Sequence, residues 1–205
     1  MTTSNWQKHT SHNPLQQLLI KNFYRQLFSL IKLKTINSVL DAGCGEGFTL
    51  NQFRLNRLGR QLAGIDASTA AVALAKKLHP HFKYAIGNIY HLPYPANSFD
   101  LVVCTEVLEH LQTPQQAIRE IQRVSKKYCL FSVPHEPWFR LVNFFRGKYL
   151  WSWGDHPEHV QHWTKASFIK FIKQAGLKVS TTVSPFPWLI ALAQKPTNRT
   201  VLPGF

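Results

Sequence analysis

A glycine-rich turn is the first stretch of the sequence whose residue types and spacing suit ligand binding. It reads DAGCGEG from Asp41 to Gly47 and continues a short apolar segment that begins at Ser38. Glycines at alternate positions let the backbone approach a ligand closely and then turn sharply into a helix. About 20 residues later a second apolar segment ends at Asp66, whose carboxylate can accept both hydroxyl hydrogens of a ribose. The two features together predict a nucleoside-binding site.

The spacing of this turn separates it from the common dinucleotide and phosphate-binding loops. The glycines follow a GxGxG pattern rather than GxGxxG, and no GK[ST] sequence follows them. A carboxylate at Asp41 would repel a pyrophosphate, whereas an ammonium and a sulfonium would neutralise it. For the glycines taken alone, the alternative is a tight strand-to-helix connection without a ligand. With both acids included, the pattern favours a cationic nucleoside.

Alternating strands and helices must position this turn. Apolar residues at helical spacing predict an N-terminal helix over 14–33, and five strands then alternate with helices from residue 38 to residue 133. This order predicts an α/β fold, a doubly wound Rossmann-like sheet that is mostly parallel and binds its ligand at the carboxyl ends of the strands. Only Ser-Pro-Phe-Pro separates two final strands, 177–183 and 188–193, so we expect an antiparallel C-terminal strand.

Length, cysteine content and hydropathy set the class of protein. The 205 residues predict a single domain over 1–205 with a packed core. Three widely spaced cysteines without a CxxC pair favour a reduced protein and disfavour a disulfide scaffold. No leader peptide and no uninterrupted apolar run of about 20 residues is visible. We therefore expect a cytoplasmic protein without a transmembrane helix.

Three segments resemble the motifs of one enzyme superfamily, the class I S-adenosylmethionine-dependent methyltransferases. VLDAGCGEG at 39–47 is similar to the first motif and GIDAS at 64–68 to the second. GNIYHLPYPANSFDLVVCTEVLEHL at 87–111 is similar to the acid-loop and post-fourth-strand segments. Within the superfamily the chain resembles the methyltransferase-11 type, whose members with an EVLEHL-type segment mostly act on small molecules or lipids, quinone precursors among them.

The resemblance implies S-adenosylmethionine as the cofactor. The three glycines would back its methionine part, Asp41 would lie near its amino group, and Asp66 would hold the ribose. Asn88 stands where the family usually has an Asp that contacts the adenine amine, and its amide oxygen can accept the same hydrogen bond. Ile65 and Ile89 would sandwich the adenine ring. The implied cofactor-binding residues are Asp41, Gly43, Gly45, Gly47, Asp66, Ala67, Asn88, Ile89 and Glu106.

The acceptor must be predicted from the segments that differ between subfamilies. The [ND]PP[FYW] segment of enzymes that methylate amino groups of DNA is absent, as is the TCPC-like nucleophile of cytosine-C5 RNA methylases. An insertion over 134–163 is rich in Trp, Phe and Tyr and is predicted to arch over the methyl-donor end of the cleft. An aromatic lid suits a flat or hydrophobic acceptor. A small accessory core of aromatic residues is the alternative.

Histidines in the same insertion are the candidate catalytic residues. His135 directly follows the fifth strand and is the first choice for a general base or substrate contact, with His159 next. His156, His159 and His162 are three residues apart, so a zinc or iron site is an alternative. Because methyl transfer does not need a metal ion, we predict no metal site.

The positive charge predicts the docking surface. The chain has 24 Lys and Arg against 10 Asp and Glu, a net charge of +14, and six of the ten acids lie between residues 41 and 109. The basic excess lies in the N-terminal helix, the insertion and the helix that follows it. Basic residues mixed with exposed apolar ones suit an anionic membrane surface, and they also suit single-stranded RNA. A solvated basic face without a partner is the third alternative.

The sequence as a whole predicts a methyltransferase that acts on a small or lipid-like, aromatic acceptor, with oxygen or carbon as the target atom. Peripheral contact with an anionic membrane is expected, and nucleic acid is the less favoured partner. RNA methylation is a second enzyme hypothesis. A non-catalytic S-adenosylmethionine-binding or membrane-recruited module is a third. The sequence does not predict an oligomeric state.

Overall fold

A computed structural model describes residues 4–136, 138 and 159–196. Seven strands in this part of the chain form one sheet. They are β1 (Ser38–Ala42), β2 (Gln61–Asp66), β3 (Lys83–Ile86), β4 (Phe99–Thr105), β5 (Ser125–Pro134), β6 (Lys178–Val183) and β7 (Trp188–Gln194). The strand order is β3-β2-β1-β4-β5-β7-β6. Only β7 runs antiparallel to its neighbours, pairing with β5 on one side and β6 on the other. The predicted doubly wound, mostly parallel sheet with an antiparallel C-terminal strand is confirmed.

Six α-helices and one 3₁₀ helix connect the described strands. They are α1 (Ser4–Thr10), α2 (Pro14–Ile31), α3 (Phe48–Leu55), α4 (Thr69–Leu78), the 3₁₀ helix Leu108–His110, α5 (Pro114–Val124) and α6 (Lys165–Gln174). Helix α2 starts where the sequence predicts, because Asn13 Oδ1 accepts hydrogen bonds from the Leu15 and Gln16 amides. It ends at Ile31, two residues before the predicted boundary of 33. Helix α1 is not predicted from the sequence.

Two hydrophobic clusters cover the faces of the sheet. Alternate residues of β4 point to opposite sides: Leu101 and Val103 pack in the cluster with α2, and Val102 and Cys104 in the cluster with α5 and α6. The core strands are therefore apolar at most positions, which explains the mostly apolar runs that begin at Ser38 and Phe99 and are interrupted by Asp41 and Asp100. All three cysteines are buried and free.

The strand order fixes where a ligand can bind. Strand β1 pairs in parallel with β2 on one side and β4 on the other, so the chain reverses its winding direction between β1 and β4. A crevice opens outside the carboxyl ends of strands at such a point. The turn after β1, the end of β2 and the segment after β4 all reach this edge. Most of the predicted insertion over 134–163, namely residues 137 and 139–158, lies outside the described residues.

None of the described helices combines the length and the hydropathy that crossing a bilayer requires.

Candidate active site

Three glycines form the turn between β1 and α3, and each adopts a left-handed backbone. Gly43, Gly45 and Gly47 have φ values of 85°, 51° and 81°. A Cβ atom on Gly43 would overlap the Val107 side chain, and one on Gly47 would overlap the Tyr84 hydroxyl. The turn is therefore closed to other residues for two reasons, backbone strain and lack of space. Its backbone can approach a ligand at the sheet edge.

Asp41 is a buried acid in the middle of the sheet. Its side chain is 1% exposed, and neither carboxylate oxygen has a hydrogen-bond partner among the described residues. Burial, followed by the nearby charge of Asp66, raises the pKa of Asp41 to about 8. A carboxylate in such surroundings is stable as an anion only when a cation lies against it. The side chain is therefore prepared for a positively charged ligand group.

Asp66 ends β2 and is held rigidly by backbone amides. One carboxylate oxygen accepts from Gly45 N at 2.8 Å and the other from Ser68 N at 2.8 Å. A carboxylate offers about four lone pairs, so each oxygen can accept a further hydrogen bond. These contacts tie the end of β2 to the glycine turn and fix the direction in which the carboxylate can bind a diol.

A cavity of about 750 Å³ extends along this edge of the sheet. Pockets that bind small molecules usually have about 300–1,000 Å³. One end is lined by six residues predicted to bind the cofactor or flank it: Gly43, Gly45, Asp66, Ala67, Asn88 and Ile89. Glu106, Glu109, His110, His159 and Trp188 line the other end. The Asn88 amide oxygen also accepts from Tyr90 N at 2.9 Å, which closes a turn after β3.

Helix α1 covers the cavity, which the sequence did not predict. Asn5 and Lys8 lie one turn apart on α1 and both line the cavity. The Asn5 side chain donates to Glu46 Oε2 in the glycine turn at 2.5 Å. His9 stacks on Phe48 with ring centroids 4.4 Å apart, and its burial lowers the pKa of the imidazole to about 3. The helix is short and mostly polar, so no periodic apolar pattern marks it in the sequence.

Two acids occupy the other end of the cavity in different ways. Glu106 adopts a left-handed backbone with φ 58°, and its carboxylate accepts from Ser132 Oγ at 3.0 Å and from Trp188 Nε1 at 2.6 Å. Glu109 is 1% exposed, and apart from its own backbone N–H neither of its carboxylate oxygens has a hydrogen-bond partner in the described residues. Burial, and then the nearby Glu106, raises the pKa of Glu109. Trp188 and Glu109 were not singled out as site residues from the sequence.

The two candidate catalytic histidines lie in different places. His159 lines the cavity, and its ring centroid is 5.0 Å from that of His110. His135 follows β5 as predicted, where its backbone amide donates to Pro187 O at 2.9 Å. It is not among the described residues that line the cavity. Of the two, His159 is thus the one that can reach a ligand there.

Comparison with known proteins agrees with this geometry. Residues 40–132 match the family described as "Methyltransferase domain". A Mycolicibacterium smegmatis protein named "Probable S-adenosylmethionine-dependent methyltransferase" is 30% identical over 150 residues, which are 72% of this chain and 54% of that protein. The ubiquinone biosynthesis O-methyltransferase of Coxiella burnetii is 27% identical over 158 residues, which are 68% of this chain and 66% of that protein. The matched relatives include both O- and N-methyltransferases.

A solved methyltransferase structure has the same fold as this chain. The methyltransferase in a complex with a Haloferax volcanii methyltransferase activator has a TM-score of 0.71 at 16% identity, covering 89% of this chain and 93% of that one. The chain spans about half the length of the first curated relatives, 54% and 46% of two of them.

The strand order of the sheet, the glycine turn and the similarity to methyltransferases together define an α/β methyltransferase domain. The chain belongs to the class I S-adenosylmethionine-dependent methyltransferase superfamily. The cofactor of this superfamily fits the site on two observations. Asp41 is a buried carboxylate without a hydrogen-bond partner among the described residues; it lies behind the cavity wall rather than on it, two residues before Gly43, and a ligand ammonium nearby would offset its burial. Gly43 and Gly45 line the cavity beside Asp66, whose carboxylate is held in place by the Gly45 and Ser68 amides and can accept further hydrogen bonds.

Proposed function

We propose that the chain transfers a methyl group from S-adenosylmethionine to a small acceptor bound in the same cavity. The observation that carries the proposal is the continuity of this cavity. It joins the glycine turn and Asp66 to a second, chemically different end with two glutamates, two histidines and a tryptophan. Displacement at a methyl carbon needs the two reactants in line, and holding both in one cavity supplies most of that requirement.

In this proposal the end of the cavity near the glycine turn and Asp66 binds S-adenosylmethionine through charged side chains and through the shape of the backbone. When bound, S-adenosylmethionine supplies a methyl group on a sulfonium, and the sulfur leaves as a neutral thioether. Asp41 provides the anion for its ammonium, and Asp66 accepts the ribose hydroxyls with the lone pairs that Gly45 and Ser68 leave free. Asn88, with Ile65 and Ile89, lines the adenine end. Gly47 shapes the turn without lining the cavity.

In this proposal the acceptor end orients the nucleophile. Trp188, Val107 and Leu111 give the cavity an apolar wall, which suits the small or lipid-like, aromatic acceptor predicted from the sequence. His159, a catalytic candidate from the sequence, lies on the cavity wall at this end, where it can act on the acceptor. His135 stays a prediction as a general base or substrate contact, and it is not among the described residues of the cavity wall. A relative named as a ubiquinone biosynthesis O-methyltransferase supports oxygen as the target atom.

Calorimetry with S-adenosylhomocysteine tests the cofactor assignment. We expect Asp66→Ala to weaken binding at least tenfold, because two hydrogen bonds to a charged acceptor are lost, each of about 1.5–3 kcal/mol. Asp66→Asn is the matched control, since it keeps the shape and one acceptor oxygen and should lose less. Equal affinity of Asp66→Ala and the original chain would refute the ribose assignment.

A labelled-methyl assay tests the acceptor class. The protein is incubated with labelled S-adenosylmethionine and, separately, with a small-molecule extract, a lipid extract and total RNA. Label in one of the first two fractions supports the proposal. Label in RNA alone would establish the RNA alternative, and S-adenosylhomocysteine binding without transfer to any fraction would favour a non-catalytic module.

We propose, second, that helix α2 contacts anionic membranes. Leu15 and Leu18 are 64% and 62% exposed, and Lys21 and Arg25 continue the same exposed stripe of the helix. Apolar side chains beside cations are the composition of an interfacial helix. Flotation with anionic vesicles at low salt tests the contact, and the matched control is the double variant Lys21→Gln, Arg25→Gln. Equal flotation of the two, or no enrichment of either, would contradict the proposal.

A further inference from the structure

A histidine-rich cluster lies at the acceptor end of the cavity, outside the cofactor-binding residues. Each of Glu109, His110 and His159 offers one ligand atom, and these three atoms lie within 4.8 Å of one another. The cluster joins two parts of the chain about 50 residues apart, the 3₁₀ helix and the segment before α6. We propose that these three residues bind a divalent transition-metal ion, against the expectation from the sequence that the protein has no metal site.

The backbone holds the two parts of the cluster together. The Glu109 carbonyl accepts hydrogen bonds from the amides of Val160 at 2.9 Å and Gln161 at 3.1 Å. The Gln161 side chain also donates to Leu111 O at 3.3 Å. His159 is therefore fixed next to the 3₁₀ helix by main-chain contacts that do not depend on the side chains of the cluster. Such a pre-formed arrangement lowers the cost of organising ligands around an ion.

The separation of the imidazole rings fits two ligands of one ion. An ion about 2.0–2.1 Å from an imidazole nitrogen lies about 3.2 Å from the ring centre, and two such rings at a tetrahedral angle have centres about 5 Å apart. The ring centroids of His110 and His159 are 5.0 Å apart, with an angle of 67° between their planes. Two ligands of one ion in tetrahedral coordination lie about 3.4 Å apart. Side-chain rotations that move the ligand atoms of the cluster by about an ångström would bring them to this distance.

Glu109 is the second, independent observation that points to a cation. It is 1% exposed, lines the cavity, and has no hydrogen-bond partner among the described residues other than its own amide. A buried carboxylate in that state has no hydrogen bond from another described residue to offset its burial, and the charge of Lys8 offsets it only in part. Its neighbour Glu106 is different, because its two oxygens accept hydrogen bonds from Ser132 and Trp188. Glu106 is not one of the three described residues whose ligand atoms converge, and its charge would add negative potential to the site.

The ligand set selects the class of ion. One carboxylate and two imidazoles suit Zn²⁺, Mn²⁺ or Fe²⁺ better than Ca²⁺, which takes six to eight oxygens, or Mg²⁺, which is bound mainly through carboxylates and water. His110 is exposed and His159 is half-buried, so an ion can enter from the solvent side. Three protein ligands leave at least one coordination position open toward the cavity.

An open position beside the acceptor narrows the acceptor class, and this step rests on the proposed function. A hydroxyl bound to the ion loses its proton to solvent more readily, because the metal lowers the pKa of a bound oxygen. The resulting oxygen attacks the methyl carbon, so that a carbon–oxygen bond forms, the carbon–sulfur bond breaks and S-adenosylhomocysteine is left. The acceptor would therefore carry a hydroxyl group, a phenol or a diol, that can bind a metal.

Metal binding by the whole chain is the direct test and needs no acceptor. Chelator-treated protein is titrated with Zn²⁺, Mn²⁺ and Mg²⁺ by calorimetry, and with Co²⁺ followed by its visible absorption. We expect one site per chain, binding Zn²⁺ at least tenfold more tightly than Mg²⁺. Glu109→Gln, His110→Asn and His159→Asn should each weaken binding at least tenfold and change the Co²⁺ spectrum.

His162→Asn is the matched control, because His162 is exposed and belongs to the alternative cluster suggested by the sequence. We expect it to bind metal like the original chain. If it weakens binding as much as His159→Asn while Glu109→Gln has no effect, the cluster we propose is wrong. Unchanged metal binding in all three ligand variants would also overturn the proposal. So would the absence of metal binding by the original chain, in which case Lys8 is the counter-ion of Glu109.

Calorimetry with S-adenosylhomocysteine on the same variants separates this proposal from the proposed function. Each ligand variant should keep its affinity for S-adenosylhomocysteine within about threefold, since the cluster is remote from the ribose and adenine end, and this also shows that the variant is folded. Cofactor binding without metal binding overturns the metal site alone. Metal binding without cofactor binding overturns the proposed function and leaves the metal site standing.

Discussion

Two aspartates at opposite edges of the sheet, Asp100 and Asp41, have opposite surroundings. At the amino edge, Asp100 accepts hydrogen bonds from the amides of Asn37 and Ser38, both at 2.9 Å, and pairs with Lys126 at 3.2 Å. These contacts hold the pKa of Asp100 below its ordinary value despite partial burial. At the carboxyl edge, Asp41 has no such partner in the described residues, and burial raises its pKa to about 8.

This difference indicates that Asp100 stabilises the fold, whereas Asp41 is suited to binding a ligand. A carboxylate that the chain itself satisfies contributes to stability, as Asp100 does. A buried carboxylate that the chain leaves unsatisfied lowers stability, and it persists where a bound group compensates for it. The carboxyl edge has two acids of the second kind, Asp41 at the cofactor end and Glu109 at the acceptor end.

The largest effect is expected from the glycine turn at the carboxyl edge. Gly43→Ala should weaken S-adenosylhomocysteine binding at least 100-fold and lower the free energy of unfolding by about 2–4 kcal/mol, because left-handed strain and a clash with Val107 add together. Gly176→Ala is the matched control. Its φ of 86° is the same, but the nearest atom to its Cβ would be Gln122 Nε2 at 3.7 Å.

For Gly176→Ala we expect a loss of about 1–2 kcal/mol from backbone strain and unchanged affinity for S-adenosylhomocysteine. Calorimetry and chemical denaturation measure both quantities. Equal affinities of the two variants would show that the glycine turn does not contact the cofactor.

The next largest effect is a change in the free energy of unfolding that has opposite signs for variants of Asp41 and Asp100. At pH 7 and without ligand, Asp41→Asn should raise the free energy of unfolding by about 2–4 kcal/mol, because the neutral amide avoids the cost of keeping a raised pKa. Asp100→Asn should lower it by about 1–2 kcal/mol, because its backbone hydrogen bonds lose their charge. Asp41→Asn should also weaken S-adenosylhomocysteine binding by about 10- to 100-fold. A stability loss in both variants would mean that Asp41 is a structural residue.

The smallest expected effect is the change in the free energy of unfolding per pH unit that Asp41 and Asp100 each cause. The folded-state pKa of Asp41 lies above its unfolded value of 3.8, so between about pH 4 and pH 8 the unfolded chain releases a proton that the folded chain keeps. Stability therefore falls with rising pH across this window, by about 1.4 kcal/mol per unit from this group. The advantage of Asp41→Asn over the original chain should grow from near zero at pH 4 to its maximum near pH 8.

For Asp100 the sign is reversed. Its folded-state pKa is lowered, so its contribution is present above the unfolded pKa and is lost as the pH falls through the folded pKa. Urea denaturation between pH 3 and pH 8 measures both differences. A pH-independent difference between Asp41→Asn and the original chain would show that Asp41 is ionised in the folded state without a ligand.

Local patterns were enough to predict the fold, and they also single out the residues proposed for the cofactor half of the site. The alternation of apolar segments and helices predicted the sheet, and α2 begins at the predicted residue, where Asn13 caps it. The glycine turn could be found because its requirement is local: a left-handed backbone at three positions within five residues admits little else. Asp66 is recognised with it, since β1 and β2 are adjacent parallel strands.

The acceptor half could not be predicted in the same way. Helix α1 has no apolar period to mark it, yet it brings Asn5 and Lys8 over the cavity. Trp188 reads as an ordinary strand residue, and only the antiparallel pairing of β7 with β5 directs its indole to Glu106. The sequence grouped His159 with the histidines three residues away on either side, whereas the fold places it beside Glu109 and His110.

The sequence by itself determined the sheet, the glycine turn and the acid that follows the next strand. Each of these depends on neighbours in the chain or on a strand pairing that the alternation of elements already implies. Only the tertiary structure decided which distant side chains share the other end of the cavity. The physical reason is that Glu109 and His159 are joined by main-chain hydrogen bonds from Val160 and Gln161, contacts that any residue type can make and that leave no pattern in the sequence.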